Sequence, residues 1–204
     1  MHYTSIKNNY FKESTIFRSS NNMNIGIFGG SFNPPHMGHV YISLQVKQKL
    51  NLNVIVWLVT PQNPLKKNHK NYTNLEDRVD LCKKITKNYN FIKIISIEDS
   101  FNLHYSYLIL RKITSLMNKS NKLFWIMGED NLTNIDKFKN WKEIITNYDC
   151  SVFARSNSTY KSLFKKYSIL NENKKLRVYL IPKNSLSSTE IRENQKLKET
   201  IIND

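Results

Sequence analysis

The sequence predicts an α/β protein, a parallel sheet with helices on both faces, folded as a single domain. From residue 24 onward, short apolar runs of strand length alternate with helix-length stretches, the pattern of successive βα units. With 204 residues and 40% hydrophobic content, the chain can bury one real core without help from disulfides or structural metal. No internal repeat or linker divides it.

Taken in order, residues 1–22 are polar, basic and hydroxyl-rich. They lack the apolar core of a secretory signal and read as a flexible N-terminal extension, with a transit peptide as the weaker alternative. Met23 stands immediately before the first strand and is a candidate alternative start. The remaining 23–204 form the domain. Strands are expected at 24–28, 54–59, 91–97, 123–127, 150–153 and 177–181. Between them, apolar residues recur at three- and four-residue spacing over 40–50, 75–88, 105–117, 141–146, 158–167 and 189–198, which predicts helices. The Asn/Lys-rich patches at 68–71 and 171–175 read as solvated loops.

Composition narrows the chemistry. Lys and Arg number 31 against 16 acidic residues, a formal charge of +15, so an anionic partner is expected. No apolar run approaches the roughly 20 residues of a membrane span, and the expectation is a cytoplasmic protein that does not engage a membrane. Cys82 and Cys150 are the two cysteines, and neither lies in a CxxC pair, which argues against structural zinc or dithiol redox chemistry. Four of the five glycines, Gly26, Gly29, Gly30 and Gly38, crowd into one segment. Function is expected there.

That segment, Ile25-Gly-Ile-Phe-Gly-Gly-Ser-Phe-Asn-Pro-Pro-His-Met-Gly-His39, follows a strand and opens a helix, where open α/β sheets bind nucleotides. It is neither the G-x-G-x-x-G dinucleotide pattern nor a P-loop, and Val59-Thr60 stands where an acidic residue would end the second strand of a dehydrogenase. What remains is a Gly-Gly turn that brings backbone amides close to a ligand, and a His-x-Gly-His pair at a helix N-terminus, a place that already favours anions. His36 and His39 can project to one side of that turn and stabilise charge on a transferring phosphoryl group. The competing reading is a partial zinc set, but no third ligand stands nearby, so no metal site is assigned.

A second cluster, Leu186-Ser-Ser-Thr-Glu-Ile-Arg192, reads at minimum as a capping box, with Glu190 three residues after Ser187. Arg192 about a turn inside suggests more, because arginine and helix N-termini both receive polyphosphates.

Gly29-Gly-Ser-Phe-Asn-Pro-Pro-His-Met-Gly-His39 together with Ser187-Ser-Thr-Glu-Ile-Arg192 resembles the nicotinate-nucleotide adenylyltransferases, within the HxGH nucleotidyltransferase superfamily. Trp57-Leu-Val-Thr-Pro-Gln-Asn-Pro-Leu-Lys66, Glu76-Asp-Arg78, Tyr105-Ser106, Phe124-Trp-Ile-Met-Gly-Glu-Asp-Asn-Leu132 and Trp141-Lys-Glu-Ile144 extend the resemblance in order over most of 24–195. It implies a Rossmann-like fold and adenylyl transfer from ATP to nicotinate mononucleotide, giving nicotinate adenine dinucleotide and pyrophosphate in NAD biosynthesis. Nicotinamide mononucleotide is a further acceptor to consider. ATP and the mononucleotide are the implied partners, Mg2+ is brought with ATP, no nucleic acid is a primary partner, and a homo-oligomer is compatible with the sequence.

The resemblance also implies roles. His39 stabilises the α-phosphate, His36 supports the neighbouring phosphates, and Gly29, Gly30, Ser31 and Phe32 line the ATP site. Ser187, Ser188, Thr189 and Arg192 hold the β- and γ-phosphates, and Arg192 is grouped with the histidines as catalytic. The two clusters must therefore meet around one triphosphate. Gly128 and Asp130 serve the adenosine, Asp130 accepting from ribose hydroxyls or else capping the following segment. Arg155 corresponds to a family arginine after the fifth strand, with a surface role as its alternative. Tyr105, Ser106 and the Tyr107 amide take the pyridine carboxylate, and Lys66 lies near the mononucleotide phosphate. The stacking ring is Phe138, where the family usually has Trp, with Trp141 a helical turn on; both could equally be core. The rivals are another HxGH nucleotidyltransferase, such as a phosphopantetheine adenylyltransferase, and a basic nucleic-acid-binding protein.

Overall fold

The structure, a computed structural model, describes residues 17–18, 21–60, 73–96, 105–155, 168 and 175–181. Its elements follow in the order β1 (Asn24–Gly30), α1 (Met37–Leu50), β2 (Val54–Val59), α2 (Leu75–Thr86), β3 (Ile92–Ser96), α3 (Ser106–Leu116), β4 (Lys122–Gly128), α4 (Glu129–Thr133), a 3-10 turn (Ile135–Lys137), α5 (Trp141–Asn147), β5 (Asp149–Arg155) and β6 (Leu176–Ile181). All six strands pair in parallel in the order β3-β2-β1-β4-β5-β6. The strand order turns back at β1, whose neighbours are β2 on one side and β4 on the other. The crevice at the carboxyl ends of β1 and β4 is thus the switch point at which such sheets take ligands.

Helices cover both faces, as expected. Val40, Val46 and Leu50 of α1 and Val79 and Cys82 of α2 join one core with Phe28, Ile55, Trp57 and Ile126. Ile109, Leu110 and Ile113 of α3 and Ile144 and Ile145 of α5 join the other with Ile25, Ile27, Val56, Trp125 and Met127. Neighbours along a strand point to opposite faces, so a strand covered on both sides must be apolar throughout. The six residues of β2, all buried, meet that demand.

Boundaries differ where local signals mislead. β1 runs two residues past the expected 28, through Gly29 and Gly30, so these glycines finish a strand rather than make a turn. No described glycine has a positive φ. Close packing is what requires them: a Cβ on Gly26 would lie 2.6 Å from Ile126 and Leu52, and one on Gly29 would lie 3.1 Å from the Trp125 ring. α1 starts at Met37, three residues before the expected 40, and α2 stops at Thr86 rather than 88. α4 and the 3-10 turn were not foreseen. The helices expected at 158–167 and 189–198 lie outside the described residues.

Part of the N-terminal extension is tied to the domain. Phe17 is 3% exposed and sits in the core beneath α3 and α5, while its carbonyl accepts from the Asn118 amide at 3.0 Å. Burial in an apolar core holds Phe17 despite the polar character of the residues around it in the chain; the rest of the expected extension, apart from 18 and 21–22, lies outside the described residues. Cys82 and Cys150 are free and buried. Burial pushes both thiols up to about 12, against a lowering by Arg78 for Cys82, so they stay protonated and inert. No helix among the described residues is long and apolar enough to cross a membrane.

Candidate active site

The site grows from the end of β1. After Gly30 the chain passes through Phe32 in the left-handed region, φ 45°, and the cis Asn33-Pro34 peptide before entering α1. A buried aromatic at positive φ is held there by its packing: the Phe32 ring stacks on Trp57 at 4.8 Å with 13° between planes. Phe32, 2% exposed, therefore builds the floor. Ser31, half-buried, follows Gly30 at the mouth of the crevice.

His36 and His39 are the N-cap and third residue of α1. The His36 amide donates to Nδ1 of His39 at 3.2 Å, and the His39 amide donates to the His36 carbonyl at 2.9 Å. An Nδ1 that accepts leaves the proton of the neutral ring on Nε2. The His39 ring lies 3.9 Å from that of His36 and 4.9 Å from that of Phe32, which walls it into one orientation. Below it, Trp57 Nε1 donates to Ser43 Oγ at 2.8 Å, and Ser43 Oγ donates to the His39 carbonyl at 2.9 Å. His36 is buried and His39 half-buried.

Arg78 braces the turn from inside. It is 2% exposed, yet its NH1 donates to the carbonyls of Ser31 and Thr60, and its Nε to those of Thr73 and Asn74. Thr60 in turn donates from both its amide and its hydroxyl to the Gly30 carbonyl. One buried cation thus joins the end of β1, the end of β2 and the start of α2. The Glu76-Asp-Arg78 motif was visible in the sequence, but this role was not. A fully buried cation is held by an array of carbonyls, and no local pattern announces such an array.

Beside β1, β4 ends at Gly128, which caps α4. Phe28 pairs with Ile126, so Gly30 and Gly128 reach the same edge of the sheet. Asp130 lies inside the first turn of α4 and not at its cap. It is exposed. Arg155 ends β5 on this edge.

The expected pyridine group gathers on the other helical layer, also at the carboxyl edge. Tyr105 caps α3, followed by Ser106 and Tyr107, and Trp141 opens α5 three residues past Phe138 and two past Lys139. Tyr105 and Tyr107 stack at 6.1 Å. Phe138 and Trp141 are half-buried against the core, so each is partly core and partly surface. A double hydrogen bond from Arg111 to Glu143, 2.5 and 2.8 Å, fastens α3 to α5. Lys66, Ser187, Ser188, Thr189 and Arg192 lie outside the described residues, and with them the expected meeting of the two clusters.

A histidine pair at a helix N-terminus, placed at the switch point of a parallel sheet, defines a protein built to handle nucleotide phosphates. The model of the cytidylyltransferase-like family matches residues 27–194. A protein from Agrobacterium fabrum named "Probable nicotinate-nucleotide adenylyltransferase" is 33% identical over 190 residues, 85% of this chain and 100% of its own. Another of the same name from Pelagibacter ubique is 37% identical over 87% of this chain and 99% of its own. The chain belongs to the cytidylyltransferase-like family and, within it, to the nicotinate-nucleotide adenylyltransferases. Its fold is shared with the Plasmodium falciparum nicotinic acid mononucleotide adenylyltransferase complexed with NaAD, at TM-score 0.61 and 20% identity over 84% of this chain and 83% of the other. The structure of that Plasmodium enzyme complexed with APC gives 0.64 at 18% identity, with the same coverage.

Proposed function

We propose that the protein transfers the adenylyl group of ATP to nicotinate mononucleotide, releasing pyrophosphate and forming nicotinate adenine dinucleotide. A 5′-phosphate oxygen of the mononucleotide forms a bond to the α-phosphorus as the bond from that phosphorus to the β-bridging oxygen breaks. Such a displacement requires alignment and charge stabilisation more than covalent help. The observation that carries the reading is the His36–His39 unit at the switch point, with the His39 tautomer set by the His36 amide. His39 Nε2–H then donates to an α-phosphate oxygen, and the α1 N-terminus adds its partial positive charge.

Asp130 takes ribose hydroxyls, the Gly30–Ser31 backbone lies along the phosphates, and the group from Tyr105 to Trp141 receives the pyridine ring. Ser187, Ser188, Thr189 and Arg192 hold the departing pyrophosphate, and Lys66 the mononucleotide phosphate. Magnesium enters as part of the MgATP substrate, which commonly supplies phosphate oxygens and water as its ligands. Among the described residues no group of three or more His, Cys, Asp or Glu side chains is gathered to hold a metal.

The test is incubation of the purified protein with MgATP and, separately, nicotinate mononucleotide, nicotinamide mononucleotide and phosphopantetheine, with pyrophosphate and product measured. Dinucleotide from the nicotinate compound is expected. Adenylylated phosphopantetheine alone, or no transfer to either pyridine nucleotide, rejects the reading.

A further inference from the structure

We propose that Lys139 is a specificity-determining residue, its ammonium selecting a pyridine carboxylate over the neutral amide. This rests on the reading given under Proposed function and extends it to a side chain that the sequence did not single out. Lys139 lies in the short link between the 3-10 turn and α5, and its Nζ sits 4.7 Å from the centre of the Tyr105 ring. Tyr105 is 40% exposed at the carboxyl edge of the sheet and stacks on Tyr107. Two cations therefore flank this tyrosine pair, Lys139 over Tyr105 and Arg111 over Tyr107 at 5.7 Å.

Their charges are not equally available. Arg111 is taken by Glu143 through two hydrogen bonds. Among the described residues Lys139 has no carboxylate beside it and is held only by the ring face. Lys137, two residues earlier, donates to Asn134 Oδ1 at 2.9 Å. Lys142 lies 5.7 Å over the ring of its own neighbour Trp141 and ties no second element to the group. Among the described residues, Lys139 alone bridges the link before α5 to the cap of α3 with no carboxylate beside it.

A ring laid in this group with a carboxylate substituent gains an ion pair with Lys139. The amide presents an N–H2 that meets the ammonium donor to donor. A partly exposed ion pair has a modest effect, so the expected discrimination is on the order of fivefold.

The experiment measures kcat/KM for nicotinate and nicotinamide mononucleotides with wild type, Lys139→Met, Lys139→Arg and Lys142→Met. In Lys139→Met the acid-to-amide ratio should fall about fivefold, through a higher KM for the nicotinate compound, with the nicotinamide value nearly unchanged. Lys139→Arg should restore the preference, Lys142→Met should leave it intact, and added salt should lower the wild-type ratio toward that of Lys139→Met. An unchanged ratio in Lys139→Met, or an equal fall for both compounds, overturns the proposal while the adenylyl-transfer reading stands. Absence of transfer to either compound by wild type overturns both.

Discussion

Two histidines three residues apart suit many purposes, and the hydrogen bond from the His36 amide to His39 Nδ1 narrows them. It occupies Nδ1 as an acceptor and leaves the proton of the neutral ring on Nε2. His39→Ala should lower kcat by roughly 10²–10³-fold, the range for losing one preorganised transition-state donor. It should leave the far-UV spectrum unchanged, because the helix N-terminus keeps its backbone bonds. Unaltered turnover in a folded His39→Ala protein would remove this side chain from the chemistry. The histidines were legible in the sequence because their residue types and spacing carry the signal. Arg78 carries no such signal, because its role depends on carbonyls from segments far apart in the chain.

At the scale of elements, the strands were the most legible, since β2 and the middle of β4 are apolar runs that can only be buried on both faces. Glycine carries no strand signal, so the end of β1 was read as a turn. Pro34-Pro35 hid the true start of α1, and α4 spans a single turn, too short for periodicity to register. The ends of β1, β2 and α2 are bound together by Arg78, and this sets an expectation for the group. Arg78→Met keeps much of the volume and removes the donors to four carbonyls. It should destabilise the fold by about 3 kcal/mol, because buried acceptors lose charge-assisted bonds, and should depress turnover through displacement of Ser31. Denaturant unfolding alongside kinetics checks it; a change under about 0.5 kcal/mol would show that the carbonyls find other donors.

For the molecule as a whole, the two hydrophobic layers do different work. The layer behind α1 and α2 carries the histidines, and the layer behind α3 and α5 carries the tyrosine pair, so the sheet edge joins the two proposed halves of the site. Phe17 belongs to the second layer. Phe17→Ala should cost about 3 kcal/mol, near the lower end for a buried phenylalanine, and lower Tm on the order of 10 °C for a chain of this size. A thermal melt with no shift would show the ring to be dispensable.

Phe17 also bears on Met23 as a point from which translation could begin. A product initiated there would keep every described strand and both histidines yet lack the ring that fills the core under α3 and α5, leaving a hollow there. Such a shortened form should melt at a lower temperature than the full chain, by about as much as Phe17→Ala does.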